Sequence, residues 1–165
     1  RIPNVIVFSG NRSGQPDGEG IANCAAAIKE LARFAAPLGV TLLFEMLCTH
    51  DHPDYQAAGS AYGFSVVSKV GEANVKVLYD IYHMHRMGED VIADIKANIG
   101  LIGHLHVAQS PRRSMTAEPG EIDYAPIVRA ALDAGYAGWW GHEFVPTADP
   151  LTQVAQAVKY LDGLA

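Results

Sequence analysis

Basic charge, cysteine and long apolar runs are all scarce in this chain. Lysine and arginine number 12 against 18 aspartates and glutamates, for a formal net charge of -6. A nucleic-acid or anionic-membrane surface needs a concentrated basic stripe. The only basic pair of note is Arg112-Arg113, so no nucleic-acid or membrane partner is expected. Two cysteines, Cys24 and Cys48, are too few for a disulfide framework and fit a reducing, cytoplasmic setting. No apolar run reaches transmembrane length and no stretch reads as a signal peptide.

What is present is globular. Hydrophobic residues make up 49% of 165 positions, and the 16 glycines and 9 prolines are scattered rather than clustered, which excludes low-complexity and disordered classes. A chain of this length buries about 70% of its unfolded surface in one domain.

The pattern alternates strand with helix. NVIVFSG (4–10) reads as a buried strand running into a loop, and Ile21, Ile28, Leu31, Phe34 and Leu38 recur at helical spacing before a stop at Gly39. VTLLFEML (40–47) is a second strand, and residues 55–70 predict a helix. VKVLYDIYH (75–83) is a third strand, followed by a helix over 89–98. IGLIGHLHVA (99–108) is the fourth strand, with a helix over 122–136. GWWGHEF (138–144) is the fifth, and a helix over 151–164 closes the chain. Strands separated by such helices form a parallel sheet through right-handed crossovers, so the fold class is α/β.

Parallel strands are buried on both faces and should be continuously apolar. Polarity interrupts four of them late: at Glu45, Asp80, His106 and Glu143. These residues converge at the carboxyl end of the sheet, where parallel α/β proteins place their sites. His104 and His106 face one side by the strand period of two. A lone buried histidine is usually hydrogen-bonded core, but three carboxylates buried together without a cation would be severely unfavourable. The spacing predicts a metal held by Glu45, Asp80, His106 and Glu143, an oxygen-rich set suited to Mn²⁺, Mg²⁺ or Co²⁺. His83 and Arg112 lie within reach of the same cavity, where an imidazole and a guanidinium would polarise a carbonyl and hold an anionic or hydroxylated substrate. Cys48 is not expected to be a ligand. His50, His52, His85 and His142 read as surface or packing residues.

FEMLC (44–48), YDIYH (79–83), IGHLHVAQSPRR (102–113), PGEIDY (119–124) and GYAGWWGHEF (135–144) together resemble the sugar isomerase/epimerase superfamily of xylose-isomerase-like TIM barrels. The likeness is greatest to hydroxypyruvate isomerases, then to ketose 3-epimerases of the tagatose and psicose type. It implies a divalent metal on Glu45, Asp80, His106 and Glu143, with Glu45 and Glu143 also moving the proton. It further implies substrate contacts from His83, in the D-x-x-H motif, and from Arg112, six residues beyond the metal histidine. Several hydroxypyruvate enzymes carry glutamine at that histidine's position, whereas this chain has His106, as the epimerases do. HVAQSPRR and PGEIDY look more like the hydroxypyruvate enzymes.

The resemblance also implies an eight-stranded barrel of which this chain supplies about the last five strand–helix units. The expectation is a single partial barrel domain over residues 1–165, with roughly 100 residues absent before Arg1. The implied activity interconverts hydroxypyruvate and 2-hydroxy-3-oxopropanoate by enediolate proton transfer, with a small keto acid or ketose as partner; a homo-oligomer is left open. Two other classes stay in view. A zinc-dependent apurinic endonuclease would need more metal ligands and a basic surface, and a non-catalytic sugar-binding fragment would lack turnover.

Overall fold

The structure is a computed structural model and describes residues 2–165. Five strands, β1 (Asn4–Val7), β2 (Thr41–Glu45), β3 (Val75–Asp80), β4 (Ile102–Val107) and β5 (Trp140–His142), pair in that order, every pair parallel. Between them run α1 (Asp17–Ala35), α2 (Ser60–Val70), α3 (Ile81–Arg86), α4 (Val91–Asn98) and α5 (Tyr124–Asp133), with α6 (Pro150–Asp162) last. The result is half of a (β/α) barrel.

The strand period sorts the side chains into two layers. Leu42, Phe44, Val75, Val77, Tyr79, Leu105 and Val107 point outward and join one apolar core with Ile28 and Ala32 of α1, Val66 and Val70 of α2, Ile95 of α4 and Val128 of α5. Full burial of Phe44, Val77 or Leu105 contributes about 1.5–3 kcal/mol each. Leu43, Glu45, Leu78, Asp80, His104 and His106 alternate with these residues and face the barrel interior. Met46 packs so closely over Gly63 that a side chain there would displace it, which seats α2 on the end of β2. Apolar side chains lie exposed along both flanks of the sheet: Val5, Phe8 and Phe34 at β1, and Trp139, Leu151 and Val158 at β5.

Several boundaries move from their expected positions, and each shift has a local cause. The helix expected from residue 55 begins at Ser60. Tyr55 donates its hydroxyl to the Glu45 carbonyl at 2.9 Å and the Gln56 amide donates to the Gly10 carbonyl at 3.0 Å, so this stretch serves as a cross-link instead. The strand expected over 75–83 stops at Asp80, whose Oδ1 accepts the Tyr82 amide at 2.9 Å and caps α3. His83 therefore projects from a helix, not from a strand end. Among the described residues, no helix is long and apolar enough to cross a membrane.

Candidate metal centre

Register brings the polar strand ends together. Asp80 pairs with His106 across β3 and β4, after a shift at Val77/Leu78 that also sets Leu78 beside His104. His106 pairs with Gly141 of β5. A Cβ at position 141 would stand 2.6 Å from His106 Cδ2 and 2.7 Å from His104 Nε2, so this glycine makes room for both imidazoles. Glu143 follows β5, with its amide on the Val107 carbonyl at 3.2 Å.

Glu45, Asp80, His106 and Glu143 each offer a ligand atom, and all four atoms lie within 4.8 Å of one another. His106 Nδ1 is 2.9 Å from Glu143 Oε2 and 3.8 Å from Glu45 Oε1. That nitrogen is buried, yet no aligned hydrogen bond satisfies it. The three carboxylates and this imidazole converge on one point. Oxygen-rich donors around such a point fit a hard divalent cation, and these residues would hold one.

The charges are those of a site built around positive charge. Burial, then the neighbouring Asp80, pushes the Glu45 carboxyl up to about 7, and burial raises Asp80 to about 6 against the pull of an arginine, Arg113. Burial opposes charge on His106, but Glu143, Asp80 and Glu45 outweigh it and raise the imidazole. The His106 imidazole, its Nδ1 2.9 Å from Oε2, holds Glu143 below the usual carboxylate range, and Arg113 adds to the pull. Cation loading must therefore displace protons from Glu45 and Asp80. Mn²⁺ affinity is expected to rise between about pH 5 and pH 8, by up to about tenfold per unit for each proton displaced. Calorimetric titrations giving the same Kd across that range would overturn this.

His83 is fully buried at the rim, its ring held neutral by burial and Arg113, with a pKa pushed down to about 3. Its Nε2 lies 3.7 Å from Asp80 Oδ2. Arg112 does not join the cluster; it is exposed on the β4–α5 loop. Its neighbour Arg113 takes the place expected of it, with Nη2 at 3.1 Å from Asp80 Oδ2 and 2.8 Å from Glu143 Oε2, and Nη1 at 3.2 Å from His83 Nε2. The guanidinium also lies over the Tyr82 ring, 5.2 Å from its centroid. The reason is the turn. Gln109 and Ser114 bond each other's backbone at 2.8 and 3.2 Å, closing the loop, and Arg113 sits in the left-handed region at φ 52. Residue spacing counts positions but does not show which way a turn faces. His142 points away from the centre, beside Trp139 and Val158 on the outer face. Tyr82 carried no signal in the sequence.

A parallel half-barrel with an oxygen-rich donor cluster at its carboxyl rim is a TIM-barrel scaffold carrying a candidate metal centre. The chain belongs to the xylose isomerase-like TIM barrel family, whose model matches residues 1–164. It is 36% identical over 144 residues to the 2-oxo-tetronate isomerase of Cupriavidus necator, covering 85% of this chain and 55% of that protein. It is 32% identical over 137 residues to the hydroxypyruvate isomerase of Escherichia coli, covering 79% and 52%. The chain thus spans about half the length of the curated relatives it matches. Among solved structures, the family 2 AP endonuclease of Brucella melitensis superposes with a TM-score of 0.87 at 27% identity, over 96% of this chain and 61% of that one. D-Psicose 3-epimerase of Clostridium cellulolyticum H10, solved with D-tagatose, gives 0.78 at 22% identity over 90% and 57%, a likeness of fold.

Proposed function

We propose that this chain carries the metal centre of an isomerase acting on small 2-oxo acids, with hydroxypyruvate and 2-hydroxy-3-oxopropanoate as the interconverted pair. The observation that carries this reading is the convergence of Glu45, Asp80, His106 and Glu143 within 4.8 Å, with one guanidinium at the rim. Relatives named for hydroxypyruvate and 2-oxo-tetronate isomerisation support it.

A divalent cation on these four residues would stabilise charge developing on the substrate's carbonyl and adjacent hydroxyl oxygens. Glu45 and Glu143 flank the substrate position and share the proton transfer. One takes the proton from C3 of hydroxypyruvate, and its delivery to C2, together with passage of the hydroxyl proton from O3 to O2, completes the isomerisation. Glu45, buried at the end of β2, is placed to take a proton at one stage and release it at the next. His83, neutral, presents Nε2 toward the reacting oxygens. Arg113 anchors the substrate carboxylate, which a guanidinium binds in bidentate fashion.

Arg113→Met is expected to raise KM for hydroxypyruvate by about ten- to hundredfold, the worth of a charge-assisted hydrogen-bonded pair, while Arg112→Met leaves it unchanged. Equal effects at the two positions would remove Arg113 from this role. With an uncharged ketohexose the Arg113 substitution should matter little, which separates a 2-oxo acid isomerase from a ketose 3-epimerase. A net charge of -6 does not favour an endonuclease, whose affinity rests on phosphate contacts.

The direct test is NMR of hydroxypyruvate in D₂O with the protein, with Mn²⁺ or Mg²⁺ present and then chelated. Isomerisation and deuterium uptake that require the metal are expected. An unchanged spectrum with metal present, for hydroxypyruvate and 2-oxo-tetronate alike, would overturn the proposal.

A further inference from the structure

Behind the carboxylate centre lies a second convergence of donors, of which the isomerase reading uses only the far nitrogen of His83. Cys48, three residues beyond the end of β2, sets its Sγ 3.2 Å from His83 Nδ1 and 3.4 Å from Asp51 Oδ2. Ligand atoms of Cys48, Asp51 and His83 all fall within 4.8 Å of one another. Cys48 and His83 are fully buried, whereas Asp51 is exposed and opens the cluster to solvent.

The backbone fixes this arrangement in advance. The His52 amide donates to the Cys48 carbonyl at 3.0 Å, closing a turn that carries Asp51 back over the thiol. The Tyr82 hydroxyl donates to Asp51 Oδ2 at 2.9 Å and steadies the carboxylate from the other side. The Cys48 amide donates to His83 Nδ1 at 3.3 Å, which directs that ring nitrogen's lone pair toward the cysteine. One thiol, one imidazole and one carboxylate are a different donor set from the carboxylate centre. Sulfur and nitrogen select a borderline ion over Mg²⁺ or Mn²⁺, and three protein ligands with an open position are usual for zinc.

We propose that Cys48, Asp51 and His83 form a second metal site, distinct from the carboxylate centre, that takes Zn²⁺ with its remaining position left to water on the Asp51 side. Binding replaces the thiol proton, which passes to solvent, and the thiolate joins the ion. The amide of Cys48 then gives up His83 Nδ1 to the metal. Because Nδ1 already accepts from the Cys48 amide, the neutral ring carries its proton on Nε2, the nitrogen that faces Asp80 and Arg113, and the ion keeps that tautomer. His83 thus stands between two centres of unlike chemistry. This inference stands apart from the isomerase reading, because its readout is spectroscopic and needs no turnover.

The test uses Co²⁺ as probe, titrated into the chelator-treated full chain under reducing conditions. The expected result is a thiolate-to-cobalt charge-transfer band in the near ultraviolet, bleached by one equivalent of Zn²⁺. The band should vanish in Cys48→Ser and survive in both Cys24→Ser and Glu143→Gln. Asp51 is exposed, so Asp51→Asn tests the site without disturbing the core, and it should weaken Zn²⁺ binding by at least about tenfold. A wild-type protein without the band, a band that persists in Cys48→Ser or is lost in Cys24→Ser, or unchanged Zn²⁺ affinity in Asp51→Asn would each overturn the proposal.

Discussion

Glu143→Gln is expected to lower turnover at least about 10³-fold, the upper part of the range for a lost acid–base group, while the fold persists. Glu143 is half-exposed at the rim, follows the edge strand β5, and contributes nothing to the apolar core. The amide keeps the shape and can still accept a hydrogen bond from Arg113, whose Nη2 lies 2.8 Å from Oε2. It loses the negative charge and the capacity to carry a proton. Circular dichroism and urea unfolding should match the wild type within about 1 kcal/mol, and deuterium exchange into substrate should disappear together with isomerisation. Near-normal turnover would remove Glu143 from the chemistry.

Glu45→Gln should separate function from stability even more sharply. The Glu45 carboxyl is 3% exposed and sits beside Asp80 and Glu143, so its ionised form is disfavoured in the fold. Its folded pKa, near 7, is raised above the value in the unfolded chain. The protonated carboxyl therefore contributes stability that is fully present below the unfolded pKa and is lost as pH rises through about 7. Glutamine never ionises. In chelator at pH 8 the variant should be more stable than the wild type by about 2 kcal/mol, and the gain should shrink to near zero by about pH 4.5. Turnover should fall at least about 10³-fold at every pH. Added Mn²⁺ should stabilise the wild type more than the variant, since only the wild type offers the full ligand set. Urea titrations at the two pH values, with and without Mn²⁺, check each arm. A variant less stable than the wild type at pH 8 in chelator would show that the buried charge is already compensated by other groups.

Much of this architecture was written in residue periodicity. Continuous apolar runs such as VTLLFE and VKVLYD mark strands covered on both faces, and a single carboxylate at the end of each reads as a site because burying it alone is costly. The convergence of Glu45, Asp80, His106 and Glu143 was legible for that reason, each being a polar interruption late in a strand or just after it. Hydrophobic spacing likewise set the helices, though their ends depended on cross-links and caps such as Tyr55 on Glu45 and Asp80 on Tyr82.

Other features came only with the tertiary structure. Arg112 and Arg113 are chemically identical neighbours, and nothing local ranks one above the other. The left-handed turn at Arg113, closed by the pairing of Gln109 with Ser114, aims one guanidinium at Asp80 and leaves the other in solvent. Cys48 was not expected to be a ligand, and its neighbours Asp51 and His83 come from a turn and from a helix that periodicity assigned to a strand. Sequence determines what is buried and what is polar through solvation, which acts residue by residue. Direction is decided by backbone turns and by hydrogen bonds between distant elements, and those exist only once the chain has closed on itself.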